Sequence, residues 1–535
     1  MHKPTLHANG YTFKPHELPM VAGSPATPDH PAKRKIAYIM ISLCLTFVCG
    51  LQNGLFAASL PQWRGELGLT IEQGGWVQVG YFMGYATFGA LLFKVRQHFG
   101  LQKFIRSVLW FVALANIIQL FAERVEILFP IRILLGIGTS GMFTLAVFYA
   151  MQALSGIGRI LGIAIFSGLM QLVPTIAQMI MPSLYLDGDM QAVLIFQFSA
   201  TLLAIGLTRW LPLPPSIKKP SLIWLDYVSF AMFAVGTALL CAFLVLGNII
   251  WWDTPWLGAL LAAAFALLAL MFWVESHRRE PLIYWKWVSA KQIVLFLLIA
   301  MLTRLFTTEQ SVGANAVLSL FGLSHRELMT YNLIIALASF AGLLLSIVTL
   351  KVQEIRRSTM IALLGIALGA YLDIGVSNQS RAEQFYLSQS IIAFSSFYFA
   401  GPVLIEGLFR AISAGFSHIV SFIALFSMTQ TLGGLLGAAG FNTYLTYQSK
   451  LHLQNLLQHI TATDPAITPQ AVGNLIKNAN LEARLLAYND LFELIFIAAF
   501  TAGAAAFMMW IYRKIKGIDI LEQEINTLKK MMKPN

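Results

Sequence analysis

Apolar and polar positions alternate along this chain on a long period. About fourteen apolar stretches of roughly twenty residues or more run from Ile36 to Arg513, separated by short hydrophilic gaps. Each is long enough to cross a hydrocarbon layer of about 30 Å as a helix. The pattern predicts helices at 36–60, 74–94, 103–122, 127–152, 159–185, 190–211, 224–247, 255–275, 291–322, 327–350, 357–377, 384–409, 414–446 and 488–513. Helices are chosen over strands because a helix satisfies its own backbone groups in lipid. The sixth stretch runs into Pro212-Leu213-Pro214-Pro215 and Lys218-Lys219, and two more stretches precede His277-Arg278-Arg279, so the order is six, two and six. Two six-helix bundles joined by an inserted helical pair is the layout of a transporter built from repeats, with its substrate path where the halves meet.

The expected divisions are a disordered cytoplasmic tail at 1–35, a bundle at 36–211, and basic linkers with two inserted helices at 212–290. A second bundle at 291–513 and a cytoplasmic tail at 514–535 follow. The second bundle includes an extracytoplasmic loop at 447–486, read as a small amphipathic cap. The tail after Arg513 has helical periodicity and either lies on the inner membrane face or stands as a solvated helix.

Composition agrees with a lipid-immersed chain: 57% of residues are hydrophobic, 11% charged, and mean hydropathy is +0.69. A net charge of +11 raises the question of nucleic acid, but its distribution answers it. Of the 36 Lys and Arg, 27 fall in the tails and the gaps on one side of the spans, 7 in the opposite gaps, and 2 inside spans. That asymmetry places both termini in the cytoplasm and requires an even number of spans. Residues 1–35 contain no apolar core or cleavage site of a signal peptide. Cys44, Cys49 and Cys241 all lie within predicted helices, which excludes a disulfide framework.

Several local motifs resemble the fourteen-helix drug:proton antiporter branch of the major facilitator superfamily. The first span ends in Leu60-Pro61, Trp76 and Tyr81 open the second, and Arg132 precedes Gly136 and Gly138 in the fourth. Ala487-Tyr488-Asn489-Asp490 with Phe492 before the last span is the most specific match. The resemblance implies proton-coupled efflux of small amphipathic compounds or drugs by alternating access, in a bacterial inner membrane. It also implies a periplasmic adaptor and outer-membrane channel as partners in a two-membrane bacterium. The chain departs from the pattern at three places. Gln52 occupies the position of a first-span Asp, Gln97 and His98 replace part of the charged gate before Phe99-Gly100, and Ile176-Ala177-Gln178-Met179 follows Pro174 where glycines are usual. Gln52 cannot titrate. These departures keep open a transporter of an endogenous metabolite, such as a siderophore, in either direction.

Ionisable groups inside spans are the remaining candidates, because a charge in hydrocarbon is costly and usually faces a cavity or a partner. Glu309 sits well into the ninth span and is read either as the proton-coupling carboxylate or as a structural or substrate-cation contact. Arg304, about 140° away around the helix, is not its automatic partner. Arg132 either relays protons and shapes the cavity, as the resemblance implies, or satisfies helix carbonyls. Gln52, Asn53, Tyr81, Gln171 and Gln178 are candidates to line a pathway, while Glu406 and Arg410, four apart, suit a structural ion pair. The run Gly136-Ile137-Gly138-Thr139-Ser140-Gly141 spells a dinucleotide fingerprint but follows no strand, so close helix packing explains it. With no metal-ligand spacing, phosphate loop or soluble catalytic domain, no enzyme and no cofactor is expected, the proton gradient serving as energy source. An intramembrane enzyme or lipid-handling protein is the remote alternative.

Overall fold

The computed structural model describes residues 7–8, 11–14, 17–19, 21–156, 158–185, 189–324, 326–415, 417–458, 469–517, 519, 521–522, 524 and 526. Apart from a two-residue strand pair, β1 (His7–Ala8) and β2 (Tyr11–Thr12), the described elements are helical. They are α1 (Ala32–Glu66), α2 (Ile71–Phe99), α3 (Leu101–Leu120), α4 (Val125–Ala153), α5 (Gly158–Leu184) and α6 (Gln191–Trp210). Next come α7 (Trp224–Gly247), α8 (Pro255–Ser276), the short α9 (Trp285–Val288), α10 (Lys291–Phe306) and α11 (Asn315–Leu320). The chain ends with α12 (Met329–Val348), α13 (Arg357–Leu372), α14 (Phe385–Ala414), α15 (His418–Gln458) and α16 (Pro469–Lys516).

Every predicted stretch is helical, and among the described residues twelve spans are long and apolar enough to cross a membrane, α10 and α11 acting together as one. The other two are α2, with Glu72, Lys94 and Arg96 near its ends, and the 16-residue α13. Three differences have physical reasons. The first helix continues past Pro61 to Glu66, where Trp63 buries its ring beside Phe56, centroids 5.5 Å apart. The ninth stretch is broken after Phe306 and passes through a π segment, Gln310–Ala314. The loop expected at 447–486 is, where described, a continuation of its flanking helices: α15 has 41 residues and α16 has 48, about 60 and 70 Å at 1.5 Å per residue. Hydropathy marks only the part of a helix that lipid surrounds. Residues 459–468, with Thr461-Ala462-Thr463-Asp464-Pro465, lie outside the described residues.

Compact packing divides the chain into one unit of residues 1–298, 404–432 and 520–535 and another of 299–403 and 433–519. The first unit takes in the inserted pair and the junction of α14 and α15. Ser421 accepts the Tyr284 amide at 2.9 Å, and Phe422 meets Phe296, centroids 6.3 Å apart. Within this unit α2 crosses α4 closely: a methyl on Gly84 would fall 2.7 Å from Ile137 N, and one on Gly136 2.8 Å from Tyr85 N. The glycine run is thus a packing surface. A capping box opens α2, Thr70 and Gln73 exchanging hydrogen bonds at 3.1 and 2.9 Å.

The inserted pair α7–α8 is held to α2 by buried charges. Asp226 Oδ1 meets Lys94 Nζ at 2.7 Å and Arg278 Nη2 at 2.5 Å, and Arg278 Nη1 meets Glu275 at 2.6 Å.

The N-terminal segment, expected to be disordered over 1–35, is docked where described. Gly23 N donates to Ile217 O and Ala26 N to Pro215 O, both at 2.9 Å, around a Pro25–Ser216 bridge. Gln152 Nε2 donates to Ala26 O at 3.1 Å, while its Oε1 meets His30 Nε2 at 3.1 Å. In the C-terminal tail Leu521 is buried and Glu524 meets Arg410 at 3.2 Å, so this tail packs on protein.

Candidate functional site

Two buried polar centres stand out, one in each unit. In the second unit, α10 runs into the π segment directly after Glu309, and such segments recur at functional sites. Gln389, in the second turn of α14, aims its amide at two carboxyls: Nε2 lies 3.1 and 3.2 Å from the Glu309 oxygens and 2.7 Å from Asp373 Oδ2. Glu309 and Gln389 are 0% exposed and Asp373 3%. Among the described residues no Lys, Arg or His is bonded to either carboxyl. Gly313 leaves room for the Glu309 head, since a methyl there would sit 2.9 Å from Oε1.

Asp373 caps the end of α13, and the turn after it is clamped from α16. Asn489 Oδ1 accepts the Gly375 and Val376 amides at 2.9 and 2.8 Å, and its Nδ2 donates to Val376 O at 2.9 Å. Neighbouring Asp490 accepts from Gln448 at 3.1 Å and meets His452 at 2.6 Å. The sequence motif before the last span thus anchors the acidic centre.

Arg304 is not part of this centre. Its Nη1 donates to Thr307 at 2.9 Å on its own helix, and its stem lies against Gly433, where α15 approaches so closely that a methyl would meet Met301 O at 2.6 Å. Glu406 and Arg410 are bonded at 3.0 Å, and Arg410 extends the pair to Glu524.

In the first unit, Gln52 sits in a neutral network shared by α1, α3 and α6. Gln197 Nε2 donates to Gln52 Oε1 at 2.6 Å and Asn116 Oδ1 at 3.1 Å, and Thr201 Oγ1 accepts from Gln52 and Asn116 at 3.1 and 3.0 Å. Gln52 is fully buried there and faces helix neighbours. Beside it Arg132, also 0% exposed, donates to Gln52 O at 3.1 Å and to Asn53 Oδ1 at 2.8 Å. Its guanidinium carbon lies 3.8 Å from the centroid of Phe56 and 4.7 Å from that of Tyr81, which stacks on Tyr85. Gln171 is exposed and Gln178 half-buried, and the network reaches neither.

Sequence reasoning brought Glu309 forward but passed over Asp373, Gln389, Asn116 and Gln197. Asp373 lies inside the predicted span 357–377, so the rule that selected Glu309 also applies to it. The neutral amides carry no comparable signal.

No family model matches this sequence, and no curated protein matches it. Solved structures do. A bacterial homologue of the human drug peptide transporters PepT1 and PepT2 is similar with TM-score 0.54 and 11% identity, over 90% of this chain and 99% of that one. Tetrameric PepTSo2 gives TM-score 0.54 and 13% identity over 90% and 99%. The human organic anion transporter MFSD10 (TETRAN) gives 0.50 and 13% over 88% and 100%. At such identities the likeness carries the fold alone: this is an all-α integral membrane chain with the major facilitator fold.

Proposed function

We propose that this chain is a secondary active transporter of the fourteen-helix drug:proton antiporter branch, exporting small amphipathic organic compounds by alternating access. The observation that carries this reading is the Glu309–Gln389–Asp373 centre. Two carboxyls beside one amide, with no basic side chain among the described residues bonded to them, repel when both are ionised in a low-dielectric interior. Taking up a proton relieves that repulsion, and access of water to the centre favours its release. A conformational change that alters access to the centre is thereby linked to proton movement. In this reading the chain resides in a bacterial inner membrane with both termini in the cytoplasm and works with an adaptor and outer-membrane channel where a second membrane exists.

Gln52 favours a second reading. An uncharged residue locked among amides at the usual first-span acid position fits a carrier of an endogenous metabolite, such as a siderophore, in either direction. Flux of radiolabelled solute in vesicles with an imposed pH gradient separates the two. Export driven by inward protons is expected, and Glu309→Gln should abolish the gradient dependence while the protein still reaches the membrane. Undiminished gradient-driven flux in that variant removes the coupling assignment.

A further inference from the structure

We propose that Arg132 receives the anionic group of the transported solute, so that the solute class is an organic carboxylate with an aromatic or similarly flat apolar body. This rests on the transporter reading above but not on its proton coupling. Three buried cations elsewhere in the same unit are matched by acids: Lys94 and Arg278 by Asp226 and Glu275, Arg410 by Glu406 and Glu524. Arg132 is not. Its hydrogen-bond partners are a peptide carbonyl and a neutral amide, its Nε has no partner, and no acidic side chain among the described residues is bonded to it. Neutral acceptors solvate a guanidinium but leave its charge standing, at a cost that a buried site sustains poorly.

Among the described residues, buried Arg96 and half-buried Arg304 also have no bonded acid, but each lies in the last turn of its helix, where the carbonyl end of the dipole favours a cation. Arg132 lies in the second turn of α4, towards the amide end, where that compensation is missing. The open Nε edge suits the fork geometry of a carboxylate. Phe56 and Tyr81, already against the guanidinium, offer π surfaces to an attached ring. The side chain is sealed in this conformation, so a solute reaches it only when the helices around it part.

The test uses the full-length protein in lipid nanodiscs without any gradient, with 1-naphthoate as probe and the neutral 1-naphthamide as its isostere. Wild type is expected to bind naphthoate at least about tenfold more tightly than naphthamide, the weight of one charged hydrogen bond. Arg132→Gln should bring the two affinities together, and Arg132→Lys should keep a preference for the anion while losing the forked contact. Equal binding of both probes by wild type, binding of neither, or a preserved preference in Arg132→Gln overturns the assignment. If Arg132→Gln does not fold, Arg132→Lys carries the comparison, and equal binding of both probes by wild type still overturns the assignment. Because no proton gradient enters, a failure of coupling at Glu309 leaves the result unaffected.

Discussion

Gln389 shows how one neutral side chain organises two costly ones. Its amide is the donor that Glu309 and Asp373 share, while its Oε1 has no partner. Replacing it with Leu leaves two buried carboxyls without that donor, a loss of about 1–3 kcal/mol that a thermal melt of the purified protein should register. Adding Glu309→Gln removes one of the two acids, so the double variant should lose less than the sum of the single effects. Strict additivity would mean that the amide and the carboxyl act independently, against the contacts described. Glu309 was legible because a lone charge within an apolar stretch is conspicuous. Asp373 was less so, lying near the end of its stretch, and Gln389 was silent because amides occur throughout membrane helices as ordinary hydrogen-bonding groups.

At the scale of elements, the inserted pair α7–α8 is attached by chemistry rather than by hydropathy. Asp226 lies between Lys94 of α2 and Arg278 just beyond α8, its carboxylate fully buried. Asp226→Ala would leave two buried cations with their shared anion removed, a destabilisation of about 3–5 kcal/mol by analogy with broken buried pairs. Lys94→Met in the same background should restore part of it, and denaturation of the two variants side by side measures the difference. An unchanged melting temperature in Asp226→Ala would show that lipid-facing packing alone retains the pair. The helices themselves were readable because a bilayer demands long apolar runs. The acid that ties two of them was not, since Asp226 and Glu275 stand at the margins of predicted spans, where charges ordinarily meet water. For the same reason the lengths of α15 and α16 escaped the pattern: beyond the lipid a helix no longer needs to be apolar.

For the whole molecule, ties between distant segments complete what hydropathy begins. The segment around residues 23–30 is bound to the linker at 215–217 and to Gln152 at the end of α4, mostly through backbone groups that have no side-chain signature, so composition alone suggested disorder. His30 makes this docking sensitive to pH. Burial lowers its pKa from the ordinary 6.5, and nearby Arg34 and Lys35 act in the same direction, against the opposing effects of the Gln152 contact and Asp29. The ring also lies against Tyr38, centroids 4.8 Å apart. A lowered value means that the undocked segment binds the proton more readily than the docked one. The contribution of His30 is therefore fully present above about 6.5 and is lost as pH falls from there through the lower docked value. Hydrogen exchange of the Gly23 and Ala26 amides, corrected for the intrinsic pH dependence, should show protection that holds above about pH 6.5 and falls as the pH is lowered below it. His30→Gln keeps a hydrogen-bonding group towards Gln152 but cannot titrate, so its protection should be flat over the same range. A slope that persists in His30→Gln would assign the pH response to a group other than this imidazole.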